Sequence, residues 1–290
     1  MSDVSNLPLA LNGLSQIADE YDAIFCDVWG VLHNGQGAFD EACEALKRFR
    51  ETRGPVVLIT NAPVPAERVT AMFPKVGVPE ECYDVVVASG DATRAELQRH
   101  APGPVYRIGP DYDDPLYHGL DLDFSQDSDA QIICCTGLRD MPDDEPERYR
   151  KELAELAERG LEMICANPDV VFRYGDQLIW SAGALANIFA EYGGRIIRPG
   201  KPDAPIYDLA FEKLDLFLPE TPSRERVLAI GDGPSTDVLG AMKQGLDCVF
   251  IGGGIHGEAM ASGDAFLMSA AELLTREETS AAYATPALAW

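Results

Sequence analysis

Short, continuously apolar runs alternate with amphipathic stretches along most of this chain. AIFCD at 23–27 precedes a stretch over 40–53 in which Ala42, Leu46 and Phe49 recur on one helical face. VVLIT (56–60) is followed by an expected helix over 65–73, and VVVAS (85–89) by one over 91–100. Farther on, VLAIG (227–231) precedes an expected helix over 235–243, and CVFIG (248–252) follows it. A strand that alternates polar and apolar residues buries one face, whereas strands this uniformly apolar bury both. With helices between them they predict a parallel sheet covered on two sides.

The middle of the chain repeats the pattern as a block of its own. VYRIG (105–109), IICCT (132–136), a helix over 145–159 closed by Gly160, EMICA (162–166) and LIWSA (178–182) fall there, with acidic loops at 111–114 and 121–129. Pro and Gly cluster at 101–104 and 198–202, as linkers or hinges do. The expected architecture is α/β: a Rossmann-like parallel-sheet core with helices on both faces, formed by 1–103 and 200–290. An α/β cap domain is inserted at 104–199. Trp180, inside LIWSA, is expected in the cap's core. The last ten residues read as a weakly ordered tail, and Gly252–Gly254 with His256 as a flexible loop.

Ligands of open parallel sheets sit at the carboxyl ends of the strands, so the polar residues there carry the functional argument. The first strand presents Asp27, followed by Gly30 in a tight turn; a carboxylate there is costly unless paired or metal-bound. The second presents Thr60 and Asn61. Lys201 follows the second Pro/Gly cluster, just before a helix with Asp203 as its N-cap and Pro205 near its start. GDGPSTD then places Asp232 directly after a strand and Asp237 in the next helix's first turn. The set is coherent for phosphoryl transfer, which needs an in-line nucleophile, cations on the non-bridging oxygens and donors to hold them. Asp27 and Asp232 offer the hard oxygen ligands that Mg²⁺ prefers. Lys201, Thr60 and Asn61 can hold a phosphoryl group, and Asp237 can orient Lys201 or a metal-bound water.

Composition narrows the partners. The 23 basic residues against 48 acidic ones leave a formal charge of −25, which repels nucleic acid and anionic membrane surfaces. Any phosphate site must therefore be built from local donors, a lysine and a metal. Seven cysteines without a C-x-x-C pair, most of them in apolar runs, point to a reducing, cytoplasmic setting and to no zinc site. The start lacks a basic leader, and no apolar run reaches the ~18–20 residues of a membrane span. The expected partner is a small phosphorylated metabolite, and the cap offers a surface for a homo-oligomer.

Four motifs carry a resemblance to a known family. DVWGVLHNG, VLITNAP, GKP and GDGPSTD resemble motifs I to IV of the haloacid dehalogenase superfamily, in that order along the chain. The long insert between the second and third, with ASGDA (88–92) and ANPD (166–169), resembles subclass IIA, which includes nitrophenyl phosphatase- and pyridoxal phosphatase-like proteins. The resemblance implies an aspartyl-phosphate intermediate on Asp27 and a Mg²⁺ held by Asp27, Asp232 and the main-chain carbonyl of Trp29. It also implies phosphoryl binding by Thr60 and Lys201.

Motif I departs from the family's D-x-D pattern, because Trp29 stands where the second Asp protonates the leaving oxygen. General acid catalysis is typically worth ~10²–10⁴-fold, so the departure has consequences. Three readings stay open: substrates with good leaving groups, a proton from His33 or from Asp169, or a catalytically weak protein that binds a phosphorylated ligand in a regulatory role. His33 also reads as a substrate-facing residue. A metal-independent dehalogenase shares the nucleophile and an aromatic residue two positions on, but it has no need of Asp232 and Asp237.

Overall fold

The computed structural model describes residues 7–126 and 129–290. In chain order the elements begin with β1 (Leu9–Ala10), β2 (Ala23–Cys26), α1 (Asp40–Thr52), β3 (Val56–Thr60), α2 (Ala66–Thr70) and α3 (Phe73–Val76). Then come β4 (Val85–Ala88), α4 (Ser89–Arg99), β5 (Val105–Ile108), β6 (Ile132–Cys135), α5 (Arg150–Glu158), β7 (Glu162–Cys165), β8 (Val171–Tyr174) and β9 (Gln177–Trp180). The rest are α6 (Ala182–Glu191), β10 (Arg195–Ile197), α7 (Ala204–Leu214), β11 (Val227–Gly231), α8 (Leu239–Gln244), β12 (Asp247–Ile251), α9 (Phe266–Arg276) and β13 (Tyr283–Thr285). The chain forms two compact units. One takes residues up to Thr60, Met72–Val87 and Tyr207–Trp290; the other takes Asn61–Ala71 and Ala88–Ile206.

The first unit holds a seven-stranded sheet ordered β1-β13-β12-β11-β2-β3-β4. Every pairing described for it is parallel. All residues of β2, β3 and β11 are buried, as their unbroken apolar sequences require. Helix α1 buries Ala42, Cys43, Ala45, Leu46 and Phe49. Asp40 and Glu41 in its first turn and Arg50 in its last suit the helix dipole. It ends where Gly54 turns the chain: a Cβ there would run into the Asp22 carbonyl. Strands step outward from β2 to β4 on one side and from β11 to β13 on the other, so the order reverses between β2 and β11.

The last ten residues are not a loose tail. β13 pairs with β12 and with β1, Leu11 N–H donates to the Ala284 carbonyl at 3.1 Å, and Leu288 is buried. Three residues are too short a run to show a strand period, and what buries them is pairing with segments far away in sequence. The same pairing pins the glycine loop, through Gly252 N–H to Thr285 and Gly253 N–H to Pro286.

The second unit holds a four-stranded parallel sheet ordered β10-β7-β6-β5. On one face Ile133, Cys135, Met163 and Cys165 pack with Leu153 and Leu156 of α5 and with Leu185 and Phe189 of α6. On the other, Val105, Ile132, Cys134 and Ile164 pack with Leu97 of α4 and with Leu116 and Tyr117. β8 and β9 form a separate antiparallel hairpin, which corrects the placing of LIWSA and of its tryptophan. Trp180 is 37% exposed and its indole N–H donates to Glu145. In a two-stranded hairpin only one face is covered: Ile179 is buried while Leu178 and Trp180 on either side of it are exposed.

Candidate active site

The carboxyl ends of β2 and β11 lie side by side where the strand order reverses, the position at which parallel sheets open a crevice. Asp27 leaves β2 still paired, its N–H donating to the Ile230 carbonyl at 2.8 Å. The chain then turns sharply. Leu32 N–H donates to the Val28 carbonyl and Gly30 N–H to the His33 carbonyl, both at 2.9 Å. Gly30 has φ +79°, and a Cβ there would run into the Asp232 carboxylate. A Cβ on Gly254 would run into the same carboxylate. Asp232 is therefore packed between two glycines, and one of its oxygens accepts the Ile255 N–H at 2.6 Å.

After Asp232 the chain makes a single π-turn, Pro234–Val238, before α8. Val238 N–H reaches back five residues to the Gly233 carbonyl at 3.1 Å. Such insertions recur at functional sites because they re-aim side chains. Here the turn carries Asp237, whose carboxylate accepts the Gly233 N–H at 3.0 Å and whose Cβ fills the space beside Gly231. Asp27, Asp232 and Asp237 each present a carboxylate oxygen within 4.8 Å of the others, and the three residues are only 6%, 7% and 5% exposed. Two like charges that close repel by about 3.5 kcal/mol at an effective dielectric of ~20. Three buried carboxylates in this arrangement call for a cation or for shared protons.

The remaining sequence-derived residues fall into two groups. Thr60 ends β3, beside β2, and is buried. Trp29 is half-buried, its ring meeting His33 edge-on at 4.7 Å between centroids. His33 is buried, accepts the Gly35 N–H at Nδ1, and is pushed down to a pKa of about 4 by that burial. Asn61, Lys201 and Asp169 lie in the other unit and form a cluster there. The Asn61 side chain accepts the Lys201 N–H at 2.8 Å and donates to the Lys201 carbonyl at 3.3 Å and to Asp169 at 2.9 Å. Sequence reasoning did not foresee the two glycines around Asp232, the Ile255 N–H or the Asn61–Asp169 bond. No local signal announces the two glycines, because Gly30 and Gly254 come from segments distant from Asp232.

Comparison with known proteins fits this geometry. Residues 24–123 match the family described as haloacid dehalogenase-like hydrolase, and 198–273 match a HAD-hydrolase-like family. A solved haloacid dehalogenase-like hydrolase from Brucella suis is 39% identical, covers 97% of this chain and 100% of its own, and superposes with a TM-score of 0.86. The chain belongs to the haloacid dehalogenase-like hydrolases. Two curated relatives place it with subclass IIA. They are the 5'-nucleotidase YutF of Bacillus subtilis, 23% identical over 81% of this chain and 88% of its own, and the ribonucleotide monophosphatase NagD of Escherichia coli, 27% identical over 80% and 88%. No helix among the described residues is long and apolar enough to cross a membrane.

Proposed function

We propose that this haloacid dehalogenase-like hydrolase is a Mg²⁺-dependent phosphohydrolase that acts on a small phosphorylated metabolite through an aspartyl phosphate on Asp27. The observation that carries the reading is the buried trio Asp27, Asp232 and Asp237 at the reversal of the sheet. Hard carboxylate oxygens at this spacing suit Mg²⁺. Asp27, Asp232 and the Trp29 carbonyl would hold the ion, with Asp237 close to them. When bound, Mg²⁺ neutralises the carboxylates and withdraws charge from the phosphoryl oxygens.

Asp27 supplies the nucleophile: one carboxylate oxygen bonds to phosphorus as the bond to the leaving oxygen breaks, and that oxygen keeps the electron pair. Water then cleaves the acyl phosphate, freeing phosphate and restoring Asp27. Thr60 and Lys201 would hold the phosphoryl oxygens, and 104–199 would act as the cap that selects the substrate.

The leaving oxygen needs a proton unless it is a weak base. Trp29 has none to give. With a pKa of about 4, His33 is protonated in only about one molecule per thousand at pH 7. Asp169 accepts a hydrogen bond from Asn61. The activities named for YutF and NagD are hydrolyses of alkyl phosphates, whose alkoxide needs that proton. Our reading for this chain is accordingly a substrate with a good leaving group, an aryl or acyl phosphate. The test is a panel of phosphates spanning leaving-group pKa, with Mg²⁺, on the wild type and Trp29→Asp. Wild type should hydrolyse the aryl and acyl members, and the substitution should raise alkyl phosphate turnover by roughly 10²-fold or more while changing the aryl members little. Absence of turnover by both variants across the panel would leave only a phosphate-binding protein.

A further inference from the structure

The Asn61 side chain closes both of its polar ends on one residue 140 positions away. Its Oδ1 takes the Lys201 N–H at 2.8 Å, while its Nδ2 gives one N–H to the Lys201 carbonyl at 3.3 Å and one to the Asp169 carboxylate at 2.9 Å. A carboxamide has only two N–H donors. Both are engaged, which leaves none for a phosphoryl oxygen. Asn61 and Lys201 are each 2% exposed, so this pairing is made away from water, where a charge-assisted bond to Asp169 holds the amide's orientation firmly.

The surroundings are built around the clamp. A Cβ on Gly200 would stand 2.6 Å from Asn61 Oδ1 and from Ser89 Oγ, and 2.9 Å from the Pro168 ring, so only glycine lets the chain come this near. Asp169 is itself fixed, its N–H donating to Asn167 at 3.1 Å and its carbonyl accepting the Gly183 N–H at 3.0 Å. A lysine ammonium rides on a flexible four-carbon stem. Holding the backbone on both sides of its Cα fixes the anchor of that stem, and a misplacement of ~1 Å can cost about 10²-fold in rate.

We infer that Asn61 is a positioning residue that fixes the Lys201 main chain, with Asp169 orienting its amide, and that it is not itself a ligand of the phosphoryl group. The inference rests on the reading of Lys201 as a phosphoryl-binding residue. It is tested by the affinity for inorganic phosphate in saturating Mg²⁺, measured as competitive inhibition and by calorimetry. The variants are Asn61→Ala, Lys201→Ala, the double variant and Asp169→Asn, with melting curves to confirm folding. Asn61→Ala should weaken phosphate about tenfold, and the double variant should bind like Lys201→Ala alone. Asp169→Asn keeps the volume and an acceptor but loses the charge, so it should weaken phosphate about twofold to threefold in the wild type and not in Lys201→Ala. If the losses from Asn61→Ala and Lys201→Ala multiply, Asn61 touches phosphate itself and the inference is wrong. It is also wrong if Lys201→Ala weakens phosphate and Asn61→Ala does not. Should Asn61→Ala not fold, an unchanged affinity in Asp169→Asn overturns it. An unchanged affinity in Lys201→Ala instead removes the phosphoryl-binding role on which the inference stands.

Discussion

The seven-stranded and four-stranded sheets are made of the same material. Each is parallel in every pairing described, and each is built from short apolar runs such as AIFC and IICC, all of whose residues are buried. Their carboxyl ends differ. In the larger sheet the strand order reverses between β2 and β11, and the loops there diverge and deliver Asp27, Asp232 and Asp237 to one place. In the smaller sheet β5, β6, β7 and β10 add in one direction without reversal. Its ends run into Gly109, Thr136, Ala166 and Arg198, and the buried carboxylate there, Asp113, hydrogen-bonds to Thr136. Parallel pairing alone thus does not make a reactive edge. The reversal does, because it lets two neighbouring strands offer acids without a connecting helix between them.

The sharpest way to break this contrast is to remove the nucleophile. Asp27→Asn should lower turnover at least about 10³-fold, as loss of a covalent nucleophile does. In the absence of metal the same change should raise the melting temperature by about 2–6 °C, because one of three mutually repelling buried charges is gone. Steady-state kinetics and calorimetry check the two halves separately. Activity within tenfold of wild type would deny Asp27 its role, and a lowered metal-free melting temperature would deny the strained trio.

A second measurement asks whether the trio binds a cation. Mg²⁺ at about 100 times its dissociation constant should stabilise the wild type by roughly 2.7 kcal/mol, or about 5–10 °C in melting temperature. Asp232→Asn should lose most of that gain, while Asp113→Asn in the other unit should keep it. Equal gains in all three proteins would place the ion elsewhere.

The gathering of Asp27, Asp232 and Asp237 was legible from sequence because a polar residue ending an apolar run is a local signal. Each also sits at a strand end or a helix start, where parallel sheets and their helices present chemistry. What escaped was long-range. That Gly30 and Gly254 both lie against Asp232 depends on segments some 200 and 20 residues away meeting at one carboxylate. The clamp of Asn61 on Lys201 depends likewise on chain closure. Trp180 and β13 misled for the opposite reason. An apolar run does not say whether a second layer covers it, and a run of only three residues does not announce that it is paired.

The smallest expected effect contrasts a buried titratable group from each unit, Asp113 and His33. Burial, aided by the charge of Asp114 and opposed by the Thr136 hydrogen bond, pushes Asp113 up to a pKa of about 7, and burial pushes His33 down to about 4. The signs are opposite. Asp113 holds its proton longer in the folded chain than in the unfolded one, whose carboxyl titrates near ~4. The folded state is therefore progressively disfavoured as pH rises from about 4 to 7, and Asp113→Asn should gain stability over wild type across that window. His33 takes up its proton first in the unfolded chain, near pH ~6.5, so stability is lost as pH falls from there to about 4, and His33→Gln should flatten that limb. Each effect has a ceiling of about 3–4 kcal/mol at the far end of its window, the linkage value of a shift of that size. Melting curves at pH 5 and pH 8 separate them. Asp113→Asn should exceed wild type more at pH 8 than at pH 5, and His33→Gln should do the reverse. Parallel pH profiles for wild type and both variants would mean that neither group is held away from its ordinary titration by the fold.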